Sequence, residues 1–300
     1  MRKLSYSRFG GTEVLEMVEA PMPAGEIVVK VKAVSVNPLD WKLWQGEMKM
    51  MGGRKFPKEA GIDFSGVVVK GNGQYKDGDE VLGITSIFKG GAMAEYVAVK
   101  AGNITHKPAG ISFEEAAALP VAGGAATQIF GQLVLVKPGM KVLINGAAGG
   151  IGPFAIQLAK QAGGTVTAVV GPSGVNLARE SGSDVVVNYK EKNVLTGGEQ
   201  YDVVVDLAGK MDYKTAKRVL SPAGVYVNTS PGIKEMIGKL FAGKKYQLLF
   251  LKSTAKELEV LAKSGLKVAI GKRYRFEDFK NGYDEVRKGG IVGKAVFIMG

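Results

Sequence analysis

The apolar residues of this chain follow two rhythms, and the change comes near residue 120. Before it, short apolar stretches are cut by Gly, Pro and Asn: residues 26–34 and 66–70 read as strands, with turns at 71–73 and 76–79. That pattern predicts a compact, mostly-β domain. Residues 113–130 then carry helical spacing, and beyond them strands alternate with helices. Residues 141–145, 165–170, 201–206, 224–228 and 247–251 read as strands, and residues 153–160, 212–220 and 255–264 as helices. Such alternation predicts an α/β fold with a doubly wound parallel sheet. Residues 267–270 and 293–298 read as strands again, so the last segment is expected to rejoin the first domain. The expected division is a β-rich domain over residues 1–120, completed by 266–300, and a doubly wound domain over 121–265.

The junction after residues 141–145 says most about chemistry. An apolar strand runs into Gly146, Ala147, Ala148, Gly149, Gly150, Ile151 and Gly152, and the chain then continues at helical spacing. A small-residue turn that opens into a helix suits a pyrophosphate. Glycine lets backbone approach an anion, and the helix N-terminus offers unpaired N–H groups and partial positive charge. Gly146, Gly149 and Gly152 are the candidate functional glycines. Their spacing is G-x-x-G-x-x-G, a loose form of the dinucleotide fingerprint, and a ligand-free glycine turn is the competing reading in a chain with 43 glycines. The strand at 165–170 completes a βαβ unit of about 30 residues, which favours the dinucleotide.

Length, charge and residue usage narrow the classes. Three hundred residues, 46% of them apolar, suffice for two cored domains. No apolar run approaches the ~20 residues that span a bilayer, and no signal peptide is legible, so a cytoplasmic protein is expected. There is no cysteine and one histidine, His106, which leaves no ordinary ligand set for catalytic zinc. No metal site is expected. The net charge of +12 would attract polyanions, anionic membranes or phosphorylated cofactors alike. Its lysines are spread along the chain and cluster only near 243–245 and 271–275, so nucleic-acid and membrane partners are minority readings.

Several blocks are recognisable together: residues 36–42, with Asn37, Asp40 and Lys42; 56–66, with Gly61, Ile62 and Asp63; 90–96; 118–123; the glycine turn; and 293–296, with Lys294. Taken in this order the chain resembles the medium-chain dehydrogenase/reductases, in the zinc-independent quinone oxidoreductase and enone reductase branch near the chloroplast envelope homologues. The resemblance implies a GroES-like domain built from both chain ends, a Rossmann domain between them, and NADPH in the cleft. In zinc-using relatives the positions of Asn37 and Ile62 carry cysteine and histidine ligands, which these side chains cannot replace. Two departures stand out. Relatives often follow the second Rossmann strand with a Ser-x-Arg-Asn-like run that grasps a 2′-phosphate; here residues 171–174 keep Ser173 but lack the arginine. Relatives also place a nicotinamide-contacting threonine where Ala125 stands, and Thr127 lies two residues on.

An NAD-selective site needs a carboxylate at the end of the second strand, and residues 170–174 offer none. NADP is therefore the expected cofactor. Ser173, Arg179, Tyr189 and Lys190 are candidate donors to its 2′-phosphate; the resemblance favours Tyr189, and strand-end packing is its alternative. Without a metal to polarise a carbonyl, hydride addition suits a carbon already made electron-poor by conjugation, as in a quinone or an α,β-unsaturated carbonyl. Asn37, Asp40 and Lys42 are candidates to bind the developing oxyanion or the nicotinamide ribose. Against that, Asn37 before Pro38 suits a turn, Asp40 suits a helix cap, and Lys42 suits solvent. Trp41, Trp44, Tyr96 and Phe250 are candidate pocket walls or plain core. The leading expectation is an NADPH-dependent quinone or enone reductase. A nucleotide-sensing, RNA- or membrane-associated protein and an enoyl-thioester reductase are the alternatives. A homodimer through residues 247–251 is also open.

Overall fold

The computed structural model describes residues 1–229, 243–251 and 254–300. The chain divides into two compact units, Met1–Val121 with Ser253–Gly300, and Ala122–Lys252.

In the first unit, β1 (Arg2–Tyr6) and β2 (Glu16–Glu19) lead to β3 (Ile27–Ser35) and then to the helices α1 (Pro38–Trp44) and α2 (Lys49–Gly52). Next come β4 (Lys58–Glu59), β5 (Asp63–Lys70), β6 (Glu80–Ile84), β7 (Tyr96–Val99), β8 (Ile104–His106) and α3 (Phe113–Ala118). The second unit begins in α4 (Pro120–Gln128), which is followed by a π-turn at Ile129–Leu133. It continues through β9 (Lys141–Asn145), α5 (Gly152–Gln161), β10 (Thr165–Val170), α6 (Val175–Glu180) and β11 (Val185–Asn188). Its last described elements are β12 (Tyr201–Asp206), α7 (Tyr213–Ala216), β13 (Leu220–Asn228) and β14 (Tyr246–Leu248). The chain re-enters the first unit with α8 (Ala255–Ala262), β15 (Ile270–Arg275), α9 (Phe279–Lys288) and β16 (Lys294–Ile298).

The first unit is built around β3, whose alternating pattern buries Ile27, Val29, Val31 and Ala33. It pairs antiparallel with β5 on one side. On the other it pairs with β7 along its first half and β16 along its second, so the last strand of the chain completes a seven-stranded sheet begun by the third. Phe297 of β16 is fully buried, with its ring against Tyr283 of α9 and Tyr274 of β15. The α8 helix, which the sequence pattern grouped with the doubly wound segment, packs against β8.

The second unit is a six-stranded parallel sheet in the order β11-β10-β9-β12-β13-β14. Counted from β9 as strand one, the order is 3-2-1-4-5-6, the doubly wound arrangement in which ligands bind beyond the strand ends where the order reverses. That reversal lies between β9 and β12, whose last residues, Asn145 and Asp206, pair in register. The α/β class with a GroES-like and a Rossmann-like part is thus observed.

Several element limits differ from the sequence pattern. The helical stretch at 113–130 is two helices, because Pro120 starts a new one instead of continuing α3. Residues 212–220 hold only the four-residue α7, since Leu220 already belongs to β13. Residues 267–270 are mostly irregular, and the strand there is the more basic Ile270–Arg275.

Replacing Phe297 by Ala removes a fully buried ring from the strand that closes the sheet, and is expected to cost about 3–5 kcal/mol in chemical denaturation. Leu135→Ala, at a residue 72% exposed, serves as the control and should stay within about 0.5 kcal/mol of the parent. Equal, small effects at both positions would show that β16 is not integral to this core.

Candidate functional site

In the second unit the residues after β9 form a close-packed turn. Gly146 has φ +80°, open to glycine, and a Cβ there would lie 2.9 Å from the Ala208 nitrogen. At Gly152 a Cβ would come within 2.1 Å of the Ala147 carbonyl oxygen, so only glycine lets α5 start against the turn. Gly149 differs: its nearest neighbour is the Gly146 oxygen at 3.4 Å, and its missing side chain leaves the outer side of the turn open. Ala147 is buried, whereas Gly149, Gly150 and Ile151 are partly exposed. The helix has no side-chain N-cap, and the N–H groups of Gly150 and Ile151 have no hydrogen-bond partner among the described residues. Open backbone, unpaired donors and a ten-residue helix behind them are the chemistry a pyrophosphate requires.

The neighbouring strand ends fit the same ligand. A Cβ on Gly174 would lie 2.3 Å from the Ala148 Cβ, so the 171–174 loop packs directly on the glycine turn. Val170 and Asn188 pair in register, which brings Ser173 and Tyr189 out of adjacent strands at one level. The Tyr189 hydroxyl stands beside Gly171, 3.2 Å from where a Cβ would be, and the Lys190 ammonium sits 5.7 Å from the Tyr189 ring centroid. Ser173, Tyr189 and Lys190 are exposed, and no carboxylate occupies residues 170–174. At the switch point, buried Asp206 accepts from the Asn145 amide at 2.9 Å and from the N–H groups of Ala208 at 3.1 Å and Met211 at 2.8 Å. It fixes the loop against which Gly146 packs. The sequence reading passed over Asp206 and Asn145, although strand-terminal polar residues on either side of a topological reversal are a legible signal. Thr127, a candidate nicotinamide contact, donates its hydroxyl to the Gly123 carbonyl one turn back in α4 at 3.0 Å.

In the first unit, three of the candidate residues meet in a buried network. The Lys294 ammonium, on a residue only 4% exposed, donates to the Val36 carbonyl at 2.8 Å and to Asn37 Oδ1 at 2.7 Å. Asn37 Nδ2 in turn donates to Asp63 Oδ2 at 3.0 Å, which also accepts from the Ser35 hydroxyl at 2.9 Å. Asp40 Oδ2 accepts the Asn37 N–H at 2.8 Å, the returning half of a capping box at the start of α1. Asn37 and Asp40 therefore have their donor and cap commitments inside the unit, and Lys294, expected at the coenzyme, has two of its three N–H donors engaged there. Lys42 lies outside the network and is partly exposed. Of the candidate wall aromatics, Trp44 is core, edge-on to Tyr283 with centroids 4.8 Å apart, while Phe250 is 54% exposed. The sequence reading used Asp63 only as part of a block and did not single out Ser35, because nothing local marks them as partners of residues so far away.

Two carboxylates and one ammonium are buried together, so charge balances when one carboxyl keeps its proton. Burial pushes Asp40 up to about 8, partly opposed by the Asn37 N–H. Burial likewise raises Asp63, to about 6, against the pull of Lys294, Asn37 and Ser35. Lys294 is lowered by burial and held up in part by the two carboxylates. A zinc ion does not fit here. The residue at the cysteine position presents an amide oxygen already bound to an ammonium, and Ile62 is a fully buried hydrocarbon. No group of three or more His, Cys, Asp or Glu among the described residues is placed to hold a metal. The basic run at 271–275 is paired with acids: Lys272 with Glu285 at 3.0 Å, Arg273 with Glu114 at 3.9 Å and Arg275 with Glu277 at 3.7 Å.

A GroES-like unit with an interposed Rossmann-like sheet and a pyrophosphate-ready glycine turn defines an alcohol dehydrogenase-like architecture. The comparisons agree: residues 23–109 match the alcohol dehydrogenase GroES-like domain and residues 181–297 the zinc-binding dehydrogenase family. The chain belongs to the medium-chain dehydrogenase/reductases, in their quinone oxidoreductase branch. It is similar to the chloroplastic quinone-oxidoreductase QR1 of Triphysaria versicolor, at 31% identity over 99% of this chain and 98% of that one. It is also similar to the chloroplastic NADPH-dependent alkenal/one oxidoreductase of Arabidopsis thaliana, at 33% identity over 79% of this chain and 66% of that protein. Among solved structures it matches the Escherichia coli quinone oxidoreductase complexed with NADPH, with TM-score 0.84 and 26% identity over 99% of this chain and 100% of the other.

The network has a pH signature. A carboxyl whose pKa is raised on folding stabilises the fold fully below its unfolded pKa, about 4, and loses that contribution as pH rises through the folded value. Denaturation midpoints should therefore fall between pH 5 and 8.5. In Asp40→Asn, whose amide mimics the protonated acid, the upper part of that fall should disappear. An identical pH slope in parent and variant would contradict the assignment.

Proposed function

We propose that this chain is an NADPH-dependent, zinc-independent oxidoreductase that reduces quinones or the activated double bond of α,β-unsaturated carbonyls. The observation that carries the reading is the carboxylate-free end of β10, packed on the glycine turn and flanked by the Tyr189 hydroxyl and the Lys190 ammonium. A carboxylate there would bind a ribose hydroxyl and repel a 2′-phosphate; a phenol, a serine and a lysine favour the phosphate. The names of the Triphysaria and Arabidopsis relatives, and the NADPH in the Escherichia coli structure, support the same class of coenzyme and acceptor.

In this reading the bound nicotinamide supplies a hydride. The chain's own residues hold and orient it: the backbone at Gly149, Gly150, Ile151 and Gly152 takes the pyrophosphate, and Ser173, Tyr189 and Lys190 take the 2′-phosphate. Gly146 and Ala147 shape the turn rather than contact the ligand. On the first unit, Asn37 and Asp40 set the start of α1 and Lys294 anchors it. Of the three candidates near α1, Lys42 alone stands outside that network and is partly exposed, which leaves its ammonium for a developing oxyanion. An acceptor activated by its own conjugation makes the smallest demand on such a site, since no metal is needed to polarise it.

A panel of acceptors tests this. NADPH oxidation should proceed with a quinone or an alkenal and not with a saturated ketone, and Tyr189→Phe or Lys190→Gln should raise KM for NADPH about tenfold, the loss of roughly one charge-assisted hydrogen bond, with KM for NADH unchanged. No turnover with any conjugated acceptor would overturn the proposal.

A further inference from the structure

The network around Lys294 uses one oxygen of Asp40 and leaves the other. Asp40 Oδ2 accepts the Asn37 N–H, while Oδ1 is buried with no hydrogen-bond partner among the described residues. Two more buried polar atoms share that condition, the Trp44 indole Nε1 and the Tyr283 hydroxyl. All three residues are fully buried. Asp40 and Trp44 stand one helical turn apart in α1, so their side chains lie on the same face. Tyr283, on α9, meets that face: its ring is edge-on to the Trp44 ring, with centroids 4.8 Å apart. The Tyr283 phenol is raised well above its ordinary range, by burial first and then by the charge of Asp40, so the carboxyl lies within electrostatic reach of the hydroxyl. Three unpartnered polar atoms from two helices thus gather at one place, and none bonds another directly.

We propose that these atoms form an interior binding site for one water molecule, which accepts from the Trp44 N–H, shares a hydrogen bond with the Tyr283 hydroxyl and meets Asp40 Oδ1. A polar atom taken out of water and left without a partner is destabilising, and a buried water commonly makes about three hydrogen bonds to such groups. The three residues supply what one water needs. An indole only donates, a phenol donates or accepts, and a carboxylate oxygen accepts. A metal cation does not suit the place, because the indole would aim its hydrogen at it, and an apolar molecule would leave all three atoms unpaired. Water can also turn: it donates to Oδ1 when the carboxyl is ionised and accepts from it when the carboxyl holds its proton. Asp40 therefore keeps a partner in either state. The molecule ties α9 to α1, the helix that carries Lys42. Its consequence for Lys42 rests on the oxidoreductase reading, and the hydration itself does not.

A high-resolution crystal structure of the full chain tests the site without any turnover. Solvent density within hydrogen-bond reach, about 3 Å, of all three atoms is the expected result. In solution, Trp41→Phe leaves Trp44 as the one indole of the chain. Its N–H should then show NOE and ROE cross-peaks to water of opposite sign, the mark of a bound molecule and not of proton exchange. Tyr283→Phe removes one partner while keeping the ring, and should raise the unfolding equilibrium constant about fivefold. A hydroxyl with nothing to bond would give the reverse, since deleting it relieves the cost of its burial. An unfolding constant that stays level or falls in Tyr283→Phe would overturn the proposal, as would missing water cross-peaks at Trp44. So would direct contact of Asp40 Oδ1 with the phenol or the indole and no density between them.

Discussion

The first unit depends on one buried ammonium. Lys294 sits in β16, yet two of its N–H groups donate to Val36 and Asn37, more than 250 residues earlier. Through the Asn37 amide the tie extends to Asp63 in β5, so a single cation joins the C-terminal strand, the entry to α1 and the centre of the sheet. An ammonium is removed from water only where polar partners and opposite charge await it, and breaking one link would leave the others buried and unpaired. The same interaction decides the chemistry available. The Asn37 amide oxygen is committed to this ammonium, and the adjoining carboxylates balance its charge.

The second unit makes the complementary provision. Its glycines remove side chains at the points where the turn, helix α5, the 171–174 loop and the 206–208 segment crowd together, which leaves backbone donors as the exposed chemistry. Asp206 holds the loop beyond β12 through two hydrogen bonds, takes a third from Asn145 at the end of β9, and keeps that crowding in register. One unit thus offers an open backbone cradle, and the other a metal-independent polar framework with Lys42 outside it.

Much of the fold was legible along the chain. The strand at 141–145, the glycine turn, the helix after it and the strands at 165–170 and 201–206 follow from local periodicity and are where the structure has them. The failures share a cause. Leu220 reads as the end of a helix by spacing but is taken into β13, and residues 271–275 read as a solvated basic run but are drawn into the sheet beside β16, so tertiary pairing overrides local preference in both. The site divides the same way. The residues of the glycine turn announce themselves by adjacency, whereas the partnership of Asn37, Asp63 and Lys294 depends on contacts across the whole chain.

An equilibrium titration of the purified chain with NADPH and with NADH, in the presence of a strong chelator, puts the central claim most directly at risk. Saturable binding of NADPH, weaker binding of NADH and indifference to the chelator are the expected results. Failure of both reduced coenzymes to bind, or binding that the chelator abolishes, would contradict the account.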